Sequence, residues 1–161
     1  GNESFWQYVI DQFYAKYTGL KAWHDKIMFD VKQTNQLVMP TGRTYKYLPE
    51  VNSQGNLKYP RTRILNYPVQ GLGADLMSIA RVSLYNKIIN MDGVKLINTV
   101  HDSIMLDFDN NTCYNNSIVP IVKESFENVP ANFKHLFGKD FNLPVRVDIQ
   151  VGNSWGNVKD V

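Results

Sequence analysis

The chain is poor in the features that classify a protein at a glance. One cysteine, Cys113, stands among 161 residues. That excludes an internal disulfide and any cysteine-rich zinc site, and it fits a reducing compartment. No apolar run approaches the ~20 residues of a membrane-spanning helix, and no basic-then-apolar leader is visible, so a cytoplasmic location is expected. Internal repeats and low-complexity tracts are absent as well. Charge of one sign is also lacking: 17 Lys and Arg face 15 Asp and Glu, for a net charge of +2. So small an excess does not announce a nucleic-acid partner, and electrostatic recognition has to rest on local clusters.

What is present describes a folded globular chain. Hydrophobic residues make up 43% and charged residues 20%, enough to bury a core in one domain or a compact piece of one. The first residues are Gly1-Asn2, and Gly1 is left out of fold reasoning.

Apolar spacing at Phe5, Trp6, Val9, Ile10, Phe13 and Tyr17 predicts a helix opened by a capping box at Ser4 and Gln7. A second helix is expected from Leu20 to about Val31, burying Leu20, Trp23, Ile27 and Met28. Gln36–Met39 and Thr44–Leu48 read as a hairpin around Pro40-Thr-Gly-Arg43. A polar connection from Pro49 to about Pro60 leads to the longest helix, from Thr62 or Pro68 to Asn90, with Leu76, Ala80, Leu84 and Ile88 in one stripe. After a turn at Asp92-Gly93 come two strands around His101-Asp102, a helix from Asn115 to about Val129, a loop over Lys134–Phe141 and a final strand over Leu143–Val151. Helices alternate with antiparallel hairpins, so the expected class is α+β.

Two segments carry chemistry. In Arg61-Thr-Arg63-Ile-Leu-Asn66-Tyr-Pro-Val-Gln70, helical spacing puts Arg63, Asn66 and Gln70 on one face. Amides can donate to the purine N3 and pyrimidine O2 acceptors that every base pair presents in the minor groove, and arginines suit phosphates. The plainer alternative is a solvated face with turn and capping amides. Gly71 and Gly73 follow early in the helix, where each glycine costs about 1 kcal/mol against alanine and implies a close neighbour. The second segment, Lys95–Phe108, places His101-Asp102-Ser103 between two apolar runs without Gly or Pro. A carboxylate at such a tip is a rigid, accessible perch for a hard cation. A turn-forming aspartate is the bland alternative.

The motif Asn66-x-Pro-x-Gln70-Gly-x-x-Ala-Asp75, followed 31 positions after its Gln by Val100-His101-Asp102, resembles the C-terminal part of family A DNA polymerases. Leu20-Lys-Ala-Trp23, Thr41-Gly-Arg43 through Pro49, and Pro144 through Gly152-Asn-Ser-Trp155 resemble further segments of that family in the same order. The likeness covers nearly the whole chain and looks closest to the phage-type branch, which would place the protein in a host cytoplasm.

The resemblance implies an antiparallel palm-type sheet with helices packed on it. Residues 1–60 would come from the base of the fingers and residues 61–161 from the palm, as one continuous unit. It implies that Asp102 binds catalytic Mg²⁺ in a two-metal site, with His101 beside the primer terminus. Asn66 and Gln70 would contact the primer–template minor groove, while Arg61, Arg63 and Arg43 meet phosphate. Thr62 stands where the family has an arginine, and Ser103 where a glutamate is common.

The family's Asp-x-Ser-x-x-Glu strand (motif A) and its nucleotide-gripping Lys and Tyr helix (motif B) are not found in the sequence. The expected partners are therefore primer–template DNA, deoxynucleoside triphosphates and an N-terminal polymerase portion carrying both motifs. Self-association through exposed palm surface is a further expectation, and no membrane is. Alone, the chain is expected to be inactive. Two rivals are a non-catalytic DNA-binding or interaction module with the palm fold, and a metal phosphohydrolase suggested by the pairs His24-Asp25 and His101-Asp102.

Overall fold

A computed structural model of the chain describes residues 2–109 and 112–161, with side chains described outside 110–116. Gly1 and the Cys113 side chain fall outside the described residues. The chain packs as two units that divide at Gln70/Gly71, inside its longest helix. The sequence reading places its divide ten residues earlier, ahead of that helix.

In the first unit, helix α1 (Glu3–Lys16) is followed by α2 (Thr18–Thr34). Asn2, not Ser4, caps α1: the Asn2 side-chain oxygen accepts from the Ser4 amide at 3.2 Å and from the Ser4 hydroxyl at 2.5 Å. Gln7, expected to reach back in a capping box, turns forward and donates to Asp11 at 2.9 Å. No residue of α1 is buried, although its apolar spacing is helical. Helix α2 ends where Asn35 adopts a left-handed φ of 55°, a conformation asparagine tolerates at helix ends. Of the four residues expected to be buried in α2, Ile27 is, whereas Trp23 is exposed; Val31 completes the buried face.

Strands β1 (Gln36–Val38) and β2 (Thr44–Lys46) form the expected hairpin, with Gly42 at a φ of 82° in its turn. The polar connection expected from Pro49 to about Pro60 contains a second hairpin, β3 (Glu50–Val51) with β4 (Leu57–Lys58). Its polar residues build the turn: the Asn52 side chain accepts from the Gln54 and Asn56 amides at 3.0 and 2.8 Å. Ile27, Val31, Tyr47 and Ile64 close this unit's core. Ile64 belongs to α3 (Arg61–Ile88), so the first turns of that helix pack with the residues before it.

In the second unit, Leu84 and Ile88 of α3 pack with Val94 and Ile118, and β5 (Val94–Val100) pairs antiparallel with β6 (Ser103–Phe108). Helix α4 (Thr112–Glu127) follows, then α5 (Val129–Phe137). The loop expected over Lys134–Phe141 is thus helical as far as Phe137, because Phe133 and Phe137 stack edge-on at 5.0 Å inside the core. Gly138, at a φ of 64°, ends the helix.

The expected strand over Leu143–Val151 forms a ladder only from Gln150. Strand β7 (Gln150–Ser154) pairs with β8 (Asn157–Asp160), and 143–149 lacks a strand partner among the described residues. The class is α+β, in four two-stranded antiparallel sheets among the described residues.

Candidate functional site

The β5–β6 hairpin is built for rigidity. Leu96, Ile104, Leu106 and Phe108 pack on the cluster that Leu84, Ile88, Val94 and Ile118 form beneath it, so both strands are anchored by burial. Lys95 and Asp107, between these positions, face each other across the ladder at exposed places. Val100 pairs with Ser103, so the loop consists of His101 and Asp102 alone.

A two-residue hairpin loop needs a positive φ to match the strand twist. His101 supplies it at 52° without being glycine. Strain of this kind persists where the surroundings over-determine it, and it clusters at functional sites. Asp102 and His101 are both exposed at the tip. Below them opens a cavity of about 470 Å³, with Met77, Leu84 and Phe126 in its apolar wall and Asp102, Ser103, Arg146 and Asp148 among its polar lining.

The donors around the tip suit a hard cation. Asp102 offers carboxylate oxygens and Ser103 a hydroxyl, and Mg²⁺ keeps several waters while taking one or two carboxylates. Among the described residues, however, no group of three or more His, Cys, Asp or Glu could enclose a metal ion. The tip by itself is therefore not a closed site.

In the first unit, α3 brings Arg61, Arg63, Asn66 and Gln70 together on its opening turns. Asn66 and Gln70 are exposed, and among the described residues neither amide is taken up by a hydrogen bond. Arg63 pairs with Glu50 of β3, a bond that holds the guanidinium's proton still more firmly. Sequence spacing missed Glu50, which reaches Arg63 only because the β3–β4 hairpin folds back. Arg43 lies at the end of the β1–β2 turn, its carbonyl accepting from the Met39 amide at 2.8 Å. Gly73, expected to have a close neighbour, has nothing beyond its own stretch of helix within 4 Å of where a Cβ would stand, among the described residues.

Of the two His-Asp pairs, His24-Asp25 is occupied structurally. His24 Nδ1 and the Tyr14 hydroxyl are 3.0 Å apart, and Asp25 accepts from Lys21 at 2.6 Å. This pair on α2 offers no metal cage, which removes the main support for a phosphohydrolase.

The model of DNA polymerase family A matches residues 4–157. The chain belongs to the family A DNA polymerases. It is 24% identical over 156 residues to the thermostable DNA polymerase I of Thermus aquaticus, covering 96% of this chain and 17% of that protein. Over 155 residues it is 26% identical to DNA polymerase I of Lactococcus lactis subsp. cremoris, covering 93% of this chain and 16% of that one. The chain therefore spans about a sixth of the length of these curated relatives.

Its fold is similar to that of the POL domain of Pol1 from M. smegmatis, solved in complex with DNA primer-template and dNTP. The TM-score is 0.63 at 19% identity, over 74% of this chain and 21% of that one. The α+β class agrees with that fold. Among the described residues, no helix is long and apolar enough to cross a membrane.

Proposed function

We propose that this chain contributes one metal-binding carboxylate and part of the DNA-holding surface to a DNA-directed DNA polymerase. The observation that carries it is Asp102 at the strained two-residue tip of a hairpin anchored on an apolar cluster, within a family A chain. The reaction is nucleotidyl transfer: the primer 3′-hydroxyl attacks the α-phosphorus of a deoxynucleoside triphosphate and pyrophosphate leaves. Mg²⁺, when bound, lowers the pKa of the attacking hydroxyl and neutralises charge on the phosphates, as in other two-metal sites.

Asp102 supplies a fixed anionic ligand to that ion, and His101 stands beside it toward the primer terminus. Asn66 and Gln70 donate to minor-groove acceptors common to all base pairs, giving grip without sequence preference. Arg61, Arg63 and Arg43 meet phosphate oxygens. A second carboxylate and a cationic clamp on the triphosphate are still required, and a polymerase portion carrying motifs A and B supplies them. Alone, the chain binds primer–template but does not extend it. Resemblance to the phage-type branch belongs to the same proposal.

Primer extension is the test. The purified chain with Mg²⁺, primer–template and four nucleotides is expected to give none, and activity is expected to return when the remaining polymerase portion is co-expressed. Extension by the chain alone would overturn the inactive-fragment reading. DNA binding that never gains activity with that portion would favour a non-catalytic module.

A further inference from the structure

Tyr67 shares a stripe of α3 with the two amides. Spacings of three and four residues set Arg63, Asn66, Tyr67 and Gln70 on one side of the helix, and all four are exposed. Ile64 and Pro68, on the other side, are buried. The fold thus turns a stripe of one cation, two amides and one aromatic ring toward solvent.

Single exposed apolar residues are ordinary on a protein surface. Tyr67 differs in being held. Its ring centre stands 6.4 Å from that of Tyr45, with the planes tilted by 54°. Tyr45 in turn stacks on Tyr47 at 6.3 Å and 24°. Tyr47 is only 5% exposed and belongs to the core that Ile27, Val31 and Ile64 complete, and its amide donates to the Asn35 carbonyl at 2.8 Å. Three rings therefore run from the core outward, and the last is 44% exposed on the amide stripe. An aromatic side chain braced in this way offers a large contact area and loses little freedom when it meets a ligand.

We infer that Tyr67 is a further DNA-contacting residue, its ring packing on a deoxyribose in the wall of the primer–template minor groove, beside the base pairs that Asn66 and Gln70 grip. This rests on the polymerase reading of that face. The chemistry of the groove chooses the sugar. In a duplex the base faces are stacked on one another and leave no π-surface for a ring. The floor of the minor groove presents hydrogen-bond acceptors, which suit the amides. Phosphates call for cations, and Arg61 and Arg63 stand on the same opening turns. The apolar surface that remains is the sugar, and every nucleotide carries the same one, so the contact adds grip without sequence preference. It also releases no counterions, so its share of the affinity is independent of salt.

Anisotropy of the full chain with labelled primer–template, titrated against KCl, tests this. Tyr67→Ala is expected to weaken binding about fivefold at every salt concentration, as loss of a packed aromatic contact does, without change in the salt slope. Tyr67→Phe, which keeps the ring, is expected to bind as the parent does. Binding of the single-stranded template is expected to be the same in Tyr67→Ala and the parent. Far-ultraviolet circular dichroism checks that the variants are folded. If Tyr67→Ala loses helix, Tyr67→Gln, a long side chain without a ring, takes its place.

Parent-like binding by Tyr67→Ala would overturn the inference, and so would an equal loss in Tyr67→Phe, which would assign the effect to the hydroxyl. A salt slope reduced by about 0.9 would overturn it in favour of a phosphate contact. Weakened binding of the single strand would overturn it in favour of stacking on an unpaired base. In each of these cases the parent still binds primer–template and the polymerase reading stands. Absence of binding by the parent would overturn that reading and the inference together.

Discussion

Val100 lies opposite Ser103 in the β5–β6 ladder, and this one pairing leaves His101 and Asp102 as the whole of the connecting loop. The backbone at His101 must then turn through a φ of 52°. A histidine tolerates that conformation, but a β-branched side chain does so poorly. His101→Val is expected to lower stability by about 1–3 kcal/mol, whereas His101→Gly leaves it within about 1 kcal/mol of the parent. Urea unfolding followed by circular dichroism measures both.

Gly152 is fixed by contact as well. A Cβ there would collide with the Asn157 carbonyl oxygen, across the β7–β8 hairpin. Backbone cannot yield as a flexible side chain does. Gly152→Ala is expected to part the two strands and cost on the order of 1–3 kcal/mol, read as faster amide exchange over β7 and β8. Gly73→Ala, by contrast, meets nothing beyond its own stretch of helix within 4 Å among the described residues and should stabilise its helix by up to about 1 kcal/mol.

The contact of α1 with α2 depends on pH. Burial first, then the positive charge of Arg61, lowers the pKa of His24 below its ordinary 6.5, against the opposing pull of Asp25. The folded state therefore holds fewer protons at His24 than the unfolded state does. Its contribution to stability is present above pH 6.5 and declines as the pH falls through that value and on to the folded pKa. Thermal unfolding between pH 7.5 and 5 is expected to show this decline, and His24→Phe is expected to flatten it. A parent profile no steeper than that of His24→Phe would contradict it.

Arg63 is held by Glu50, and an arginine in an ion pair is less free to meet phosphate. Glu50→Gln is expected to tighten primer–template binding and steepen its dependence on salt by up to about one phosphate contact, a slope change of ~0.9. Titration of binding against KCl measures it. A weaker complex or an unchanged slope would mean that Arg63 does not face DNA.

The local placement of the candidate site segments was legible because it depends on neighbouring residues alone. Asn66, Gln70 and the His101-Asp102 tip each depend on spacing within a few residues, and the structure places them on a helix and a two-residue loop as that spacing requires. The apolar stripe of α3 was legible for the same reason, with Ala80, Leu84 and Ile88 buried. Features set by tertiary contact were not. Nothing near Glu50 announces its partner 13 residues away. The polar surface of α5 concealed a helix that Phe133 and Phe137 hold in the core. The strand expected over Leu143–Val151 forms a ladder only from Gln150: the alternation of burial along 145–151 is that of a strand, but a ladder also needs a neighbour, which local spacing does not reveal.

Binding of fluorescently labelled primer–template, followed by anisotropy, tests the central claim most directly. The parent chain and Asp102→Ala are expected to bind DNA of unrelated sequences alike, and Asn66→Ala combined with Gln70→Ala is expected to weaken binding about tenfold or more on all of them. Absence of binding by the parent, or binding indifferent to both amides, would contradict the account.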